Sequence, residues 1–166
     1  WRSLVLAGSD EHDTLFELER LLEVERADPF TFATVCELTI SPDRRRLSVS
    51  LAGHPAPLLA TDGSVRLLEP TPDPPLGLRG RAGRIEHVEL GDEWNLLAFS
   101  DGIFEGRTAD GGRFGLDAFT DLATPKLLQG RLTDGLLAEL EAAAEAHNGG
   151  PLDDDVALLG CCRTAP

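Results

Sequence analysis

Two groups of carboxylates stand where a folded chain could aim them. Asp101 follows the apolar run Asn95–Ser100 and is itself followed by Gly102; Asp153, Asp154 and Asp155 sit immediately before the apolar stretch Val156–Gly160. A carboxylate at the end of a buried strand has its direction set by the strand, unlike one on a free loop. Three successive aspartates repel one another, and a bound cation relieves that repulsion. Hard divalent ions such as Mn²⁺ and Mg²⁺ prefer oxygen ligands of this kind. Plainer readings stand beside this one: Asp-Gly after a strand is a common turn, and an aspartate triplet is commonly a solvated loop. Both groups at strand ends of one small domain make Asp101 and the Asp153–Asp155 triplet candidate metal ligands.

Composition narrows the chemistry these acids could serve. The chain has 166 residues, 42% of them hydrophobic, enough for one domain with a real core. Its formal charge of −14 argues against nucleic acid as a partner. The short basic run Arg44-Arg45-Arg46 lies after Pro42-Asp43 and reads as a solvated hairpin tip. A phosphate-bearing substrate would need local positive charge, which a metal can supply where lysines and arginines are few. The three cysteines, Cys36 and the adjacent pair Cys161-Cys162, form neither a zinc-type spacing nor an unstrained disulfide. They read as small buried hydrophobes in a reducing compartment. No membrane-length apolar run and no signal pattern occurs, so a cytoplasmic protein is expected.

The elements that must hold the candidates follow from periodicity. Trp1–Ala7 reads as the end of a helix, broken by Gly8, Ser9 and Asp10, and the apolar positions Leu15, Leu18, Leu21, Leu22 and Val24 define an amphipathic helix over 13–26. Thr31–Ile40 and Leu47–Leu51 predict an antiparallel hairpin, and Leu58–Ala60 and Val65–Leu67 predict a second around Asp62-Gly63. Proline and glycine make 70–83 a long loop; Ile85–Leu90 is a further strand, and Asn95–Ser100 a strand buried on both faces. A short helix after Leu116 precedes a longer one from Thr133, its N-cap, to about His147, with Gly149-Gly150 beyond, and Val156–Cys161 is the last strand. Antiparallel strands with helices grouped in sequence indicate a layered α+β fold, without repeats or an internal linker.

Five ordered motifs carry a family resemblance. They are Leu51-Ala52-Gly53-His54-Pro55-Ala56-Pro57-Leu58-Leu59, Pro75-Leu76-Gly77-Leu78, Phe99-Ser100-Asp101-Gly102-Ile103-Phe104-Glu105-Gly106, Arg113-Phe114-Gly115 and Asp154-Asp155-Val156. This succession resembles the stage II sporulation protein E branch of the PPM-type metal-dependent serine/threonine phosphatases, over about Asp13 to Cys161. The resemblance implies an αββα four-layer sandwich of two antiparallel sheets flanked by helices. It implies two Mn²⁺ or Mg²⁺ ions and hydrolysis of phosphoserine or phosphothreonine by metal-activated water, without a covalent enzyme intermediate. By the same resemblance Asp101 and Asp154 are metal ligands, and Asp155 orients a bound water. Asp153 is a competing register for that pair. Gly102 completes the motif around Asp101, and Glu105 shapes the segment that follows. His54 is either a polar contact near the metal or a hydrogen-bonded structural histidine.

The resemblance also carries expectations about what surrounds this chain. The family's two earlier aspartate-bearing motifs, of the Gly-Asp-Phe-Tyr-Asp and Gly-Asp-Val-x-Gly-His-Gly types, have no match here; Gly91-Asp92 and Gly53-His54 belong to other segments. The expectation is therefore the C-terminal two-thirds of one phosphatase domain, incomplete at its N-terminus and inactive alone. Ala157 stands where the family usually has threonine. The implied partners are a phosphorylated anti-anti-sigma-type protein and an upstream sensor or receiver domain, with neither nucleic acid nor membrane. Unpaired sheet edges would favour self-association. The alternative is a non-catalytic phosphatase-fold module that docks a regulatory partner.

Overall fold

The computed structural model describes residues 1–9, 11–71, 73–78, 84–108, 111–148, 150–152 and 154–164. Asp10, Gly149 and Asp153, and part of the expected 70–83 loop, lie outside them. The chain forms two compact units: residues 1–56 with 69–89, and residues 57–68 with 90–166.

In the first unit, α1 spans Arg2–Leu6 and α2 spans Glu11–Glu25. Strands β1 (Val35–Ile40) and β2 (Arg46–Ala52) pair antiparallel, from Val35 opposite Ala52 to Ile40 opposite Leu47. Ser41 closes their turn: its hydroxyl donates to Asp43 and accepts from the Arg46 amide at 2.9 Å. Arg44, Arg45 and Arg46 are exposed around it, as the hairpin-tip reading requires. The strand predicted over 31–40 begins only at Val35, because Thr31–Thr34 form a connecting segment tied to Leu76 through Ala33. A strand over Glu86–Glu89, the fifth in chain order, pairs with the other edge of β2. β2 is therefore central, and it is buried on both faces. Leu47, Val49 and Leu51 fill one face; on the other, Ser48 contacts His87 Nδ1 and Ser50 donates to the Arg84 carbonyl, so no hydroxyl is stranded. The α2 stripe is less buried than its periodicity suggests: Leu15 is fully covered, whereas Leu21 and Val24 are exposed. Leu21 borders an apolar groove between the helix and the start of β1.

In the second unit, β3 (Leu58–Thr61) and β4 (Ser64–Leu67) meet at Asp62-Gly63, both with positive φ, the geometry of a tight two-residue hairpin turn. β6 (Trp94–Phe99) pairs with β3 and with β7 (Leu158–Arg163), giving the antiparallel order β4-β3-β6-β7. The last strand starts two residues later than its apolar pattern suggested, because Val156 and Ala157 belong to the approach that binds Ser100. Helices α3 (Gly115–Leu128) and α4 (Asp134–Asn148) lie against this sheet. α3 is not the short helix expected: it continues through Pro125, because Phe119, Ala123 and Leu127 all face the core. Thr133 caps α4 as predicted, accepting the Leu136 amide at 3.2 Å. Phe119 packs edge-on against Phe99 at 4.8 Å, in a core shared with Leu58, Leu97 and Leu140. Burying such a ring contributes roughly 1.5–3 kcal/mol.

Two antiparallel sheets with flanking helices make an α+β fold, as the sequence indicated. Among the described residues no helix is long and apolar enough to cross a membrane. All three cysteines are free and half-buried, rather than fully buried as expected.

Burial pushes the Cys36 thiol up from 9.0 to about 12. The unfolded thiol ionises first, so the stability Cys36 contributes is complete below pH 9 and is lost as pH rises towards 12. Urea midpoints measured from pH 8 to 10.5 should fall more steeply for the native chain than for Cys36→Val. Parallel pH slopes would contradict the shift.

Candidate metal-binding site

The antiparallel register of β6 and β7 sets the site. Phe99 lies opposite Leu158, so the end of β6 and the start of β7 emerge at the same edge of the sheet. Ser100 extends the pairing by one step. Its amide donates to the Ala157 carbonyl at 3.0 Å, and its hydroxyl accepts from the Ala157 amide at 2.8 Å and donates to the Asp155 carbonyl at 3.1 Å. One side chain thus staples the segment leading to Asp101 to the segment leaving Asp154 and Asp155.

The chain then turns sharply. Asp101–Ile103 form a single 3-10 turn, and the Phe104 and Glu105 amides both donate to the Asp101 carbonyl. Gly102 is buried within this turn, and a Cβ added there would lie 2.5 Å from the Asp155 carbonyl oxygen. No side chain fits, so the glycine lets the two backbones touch. Ile103, fully buried, anchors the turn in the core.

The two carboxylates are held in the same way. Asp101 Oδ1 accepts the Gly102 amide at 3.1 Å, and Asp154 Oδ1 accepts the Asp155 amide at 2.8 Å. Each is exposed, and each keeps its second oxygen without a hydrogen bond among the described residues. An aspartate fixed through one oxygen, with the other towards solvent, suits a hard cation. Mg²⁺-like ions are commonly bound by one or two carboxylates, with waters and substrate phosphates completing the shell. The donor set fits that mode. It is not a full cage: among the described residues no group of three or more His, Cys, Asp or Glu side chains could hold a metal.

The structure brings Asp101, Gly102, Asp154 and Asp155 together. Asp155 takes part through its backbone carbonyl, while its side chain is exposed. Asp153 lies outside the described residues, and the competing register with it. His54 belongs to the first unit, where its Nδ1 contacts Thr34 Oγ1 at 3.3 Å. The preceding Gly53 has φ +65°, and a Cβ there would overlap Pro75, so the Ala-Gly-His segment answers to local packing. Glu105 shapes the segment after Asp101 through its amide. The residue whose role sequence reasoning missed is Ser100, quoted in the motif but given no task. Its signal was a hydroxyl directly between a buried strand and an acid. A cavity of about 660 Å³ lies at the opposite end of this sheet, beside Thr61, Trp94 and Arg163, away from the carboxylates.

A family profile described as stage II sporulation protein E (SpoIIE) matches residues 1–164. The chain belongs to that family. SpoIIE-family chains share a PP2C-type phosphatase fold, and solved structures bear this out. The RsbU and RsbW domains of a Mycobacterium tuberculosis protein are similar at 26% identity and a TM-score of 0.79, over 99% of this chain and 45% of that one. The SiaA-PP2C domain of Pseudomonas aeruginosa is similar at 20% identity and a TM-score of 0.77, over 96% of this chain and 63% of that one. The phosphatase domain of SpoIIE from Bacillus subtilis, from Mn-presoaked material, is similar at 15% identity and a TM-score of 0.68, over 99% of this chain and 73% of that one. The chain thus spans less than two thirds of the first two structures. No curated protein sequence matches it.

The contact at Gly102 gives a direct test of this SpoIIE-type edge. Gly102→Ala forces its new Cβ against backbone, and overpacking of this kind costs about 1–3 kcal/mol. Gly150→Ala, where a Cβ meets nothing within 4 Å, serves as control. Urea denaturation should show the first substitution strongly destabilising and the second nearly neutral. Equal effects would refute the close approach.

Proposed function

We propose that this chain carries part of the catalytic edge of a divalent-metal-dependent protein phosphatase that hydrolyses phosphoserine or phosphothreonine on a small regulatory protein. The observation that carries this reading is the pair Asp101 and Asp154, each with one oxygen tied to the next amide and the other free, at one end of a SpoIIE-family sheet. We assign both as ligands of Mn²⁺ or Mg²⁺. The Mn-presoaked B. subtilis relative supports ions of this class.

When bound, such ions supply positive charge for a phosphoryl group and lower the pKa of water. The chain's own residues do the positioning. Ser100 and Gly102 hold the two acids at one edge without slack, and Asp155, exposed beside Asp154, is assigned to hydrogen-bond water there. The net charge of −14 would repel a phosphorylated partner, and cations held at this edge reverse that sign locally. No side-chain nucleophile is assigned, because the hydroxyl at the edge, Ser100, is already engaged on both sides.

Two carboxylates are fewer than a two-ion centre needs. We assign the remaining ligands to the share of the relatives' domain that this chain does not span, and expect these 166 residues alone to turn over little substrate. An anti-anti-sigma-type protein is the proposed substrate, with a sensor or receiver domain as the proposed controlling partner. The RsbU and RsbW domains that occur together in the M. tuberculosis relative support a regulatory setting.

The test is hydrolysis of a phosphoserine protein by the full-length protein with Mn²⁺. Asp101→Asn should lower the rate by on the order of 100-fold, since even residues that only support metal ligands cost 10–100-fold. Unchanged activity would remove Asp101 from the site. A full-length protein with no Mn²⁺-dependent hydrolysis would favour the non-catalytic docking module instead.

A further inference from the structure

The segment leaving the Asp101 turn is a small hairpin whose two sides differ in chemistry. Gly106 and Phe114 are buried: Gly106 lies against Asn148 at the end of α4, and the Phe114 ring sits 5.2 Å from that of His147. Arg107 and Arg113, the next positions, are exposed, as alternation in an extended pair requires. They lie directly opposite each other in an antiparallel bridge. The surrounding bonds, Phe114 amide to Gly106 carbonyl and Thr108 amide to Gly112 carbonyl, identify it as a non-hydrogen-bonded pair. That is the closer of the two cross-strand spacings, with Cα atoms about 4.5 Å apart.

Like charges directly opposite one another are destabilising. Arg46, Arg84 and Lys126 each find a carboxylate, but Arg107 and Arg113 have no ion pair among the described residues. A chain of net charge −14 has abundant acids with which to neutralise them, yet sets both on one face. With Phe104, Glu105, Gly115 and Leu116 they line a cavity of about 330 Å³. The carboxylate of Glu105 does not cancel two guanidinium groups. The hairpin is also tied to the candidate metal edge: the Glu105 amide bonds the Asp101 carbonyl, and Arg107 follows within about 7 Å of extended chain.

We propose that Arg107 and Arg113 form a fork that docks an acidic or phosphate-bearing side chain of the protein substrate beside the Asp101–Asp154 edge, and so help to select that substrate. Planar guanidinium groups match phosphate and carboxylate oxygens in pairs, and two at this spacing can share one anion. The proposal rests on the phosphatase reading for its substrate, but its binding arm does not need turnover.

The experiment uses the full-length protein and a fluorescent acidic peptide, with serine or phosphoserine at its centre. Affinity is measured by anisotropy without divalent metal, and hydrolysis of p-nitrophenyl phosphate is measured with Mn²⁺ on the same preparations. R107A/R113A should weaken peptide binding about tenfold or more and flatten its salt dependence. R107K/R113K should recover part of the affinity, and R131A, at another exposed arginine of the same unit, should have no effect. A fork that reads phosphate loses mainly the phosphopeptide; one that reads carboxylates loses both peptides equally. Unchanged binding in R107A/R113A, or an equal loss in R131A, overturns the proposal. Peptide binding that depends on the arginines, in a protein without Mn²⁺-dependent hydrolysis, would uphold the fork and sink the phosphatase reading alone.

Discussion

The site depends on the pairing of two strands that are far apart in sequence. β6 delivers Asp101 and β7 receives the chain from Asp154, and their antiparallel register brings both to one edge. The arrangement is maintained by something other than the acids. That is the backbone contact at Gly102, reinforced by the Ser100 hydroxyl, which serves the far strand as donor and acceptor at once. A hydroxyl with both roles filled by backbone cannot rotate without breaking both bonds. The backbone that carries both acids is therefore fixed.

Rigidity reaches the edge from the core. Phe99, Ile103 and Phe119 pack where β6 gives way to the turn, and α3 continues through Pro125 to keep that packing intact. The proline is a local violation tolerated because Phe119, Ala123 and Leu127 bury one continuous face. The fixed edge and the paired arginines beyond it together put directed charge on a surface whose overall field is strongly acidic. In such a field position matters more than number: a few cationic points decide where an anion can come to rest.

Much of this was legible in the residues. Asp62-Gly63 announced its hairpin, Thr133 its helix, and the apolar run before Asp101 its buried strand, because each is a local signal with a local cause. The two-sheet α+β class and the family followed from ordered motifs. Other features depend on partners distant in sequence. Nothing in Ser100 alone says that its hydroxyl will meet Ala157, and nothing in Val24 says that its side of α2 will stay uncovered. The reach of α3 was underestimated because it is set by the burial of Phe119, Ala123 and Leu127, which depends on distant partners. Arg107 and Arg113 look like scattered surface charges until the bridge between them sets them face to face.

The central claim is that a divalent cation binds at the edge that carries Asp101 and Asp154. Titrating the chain with Mn²⁺ while following backbone amide signals by NMR tests it, since the paramagnetic ion broadens nuclei near where it binds. The Gly102 and Asp155 signals should broaden together at the same low Mn²⁺ ratio, while Trp94 and Cys162, at the far end of the same strands, stay sharp. No broadening at Gly102 and Asp155 at a ratio where Trp94 or Cys162 already broadens would place the cation elsewhere, and the account would fail.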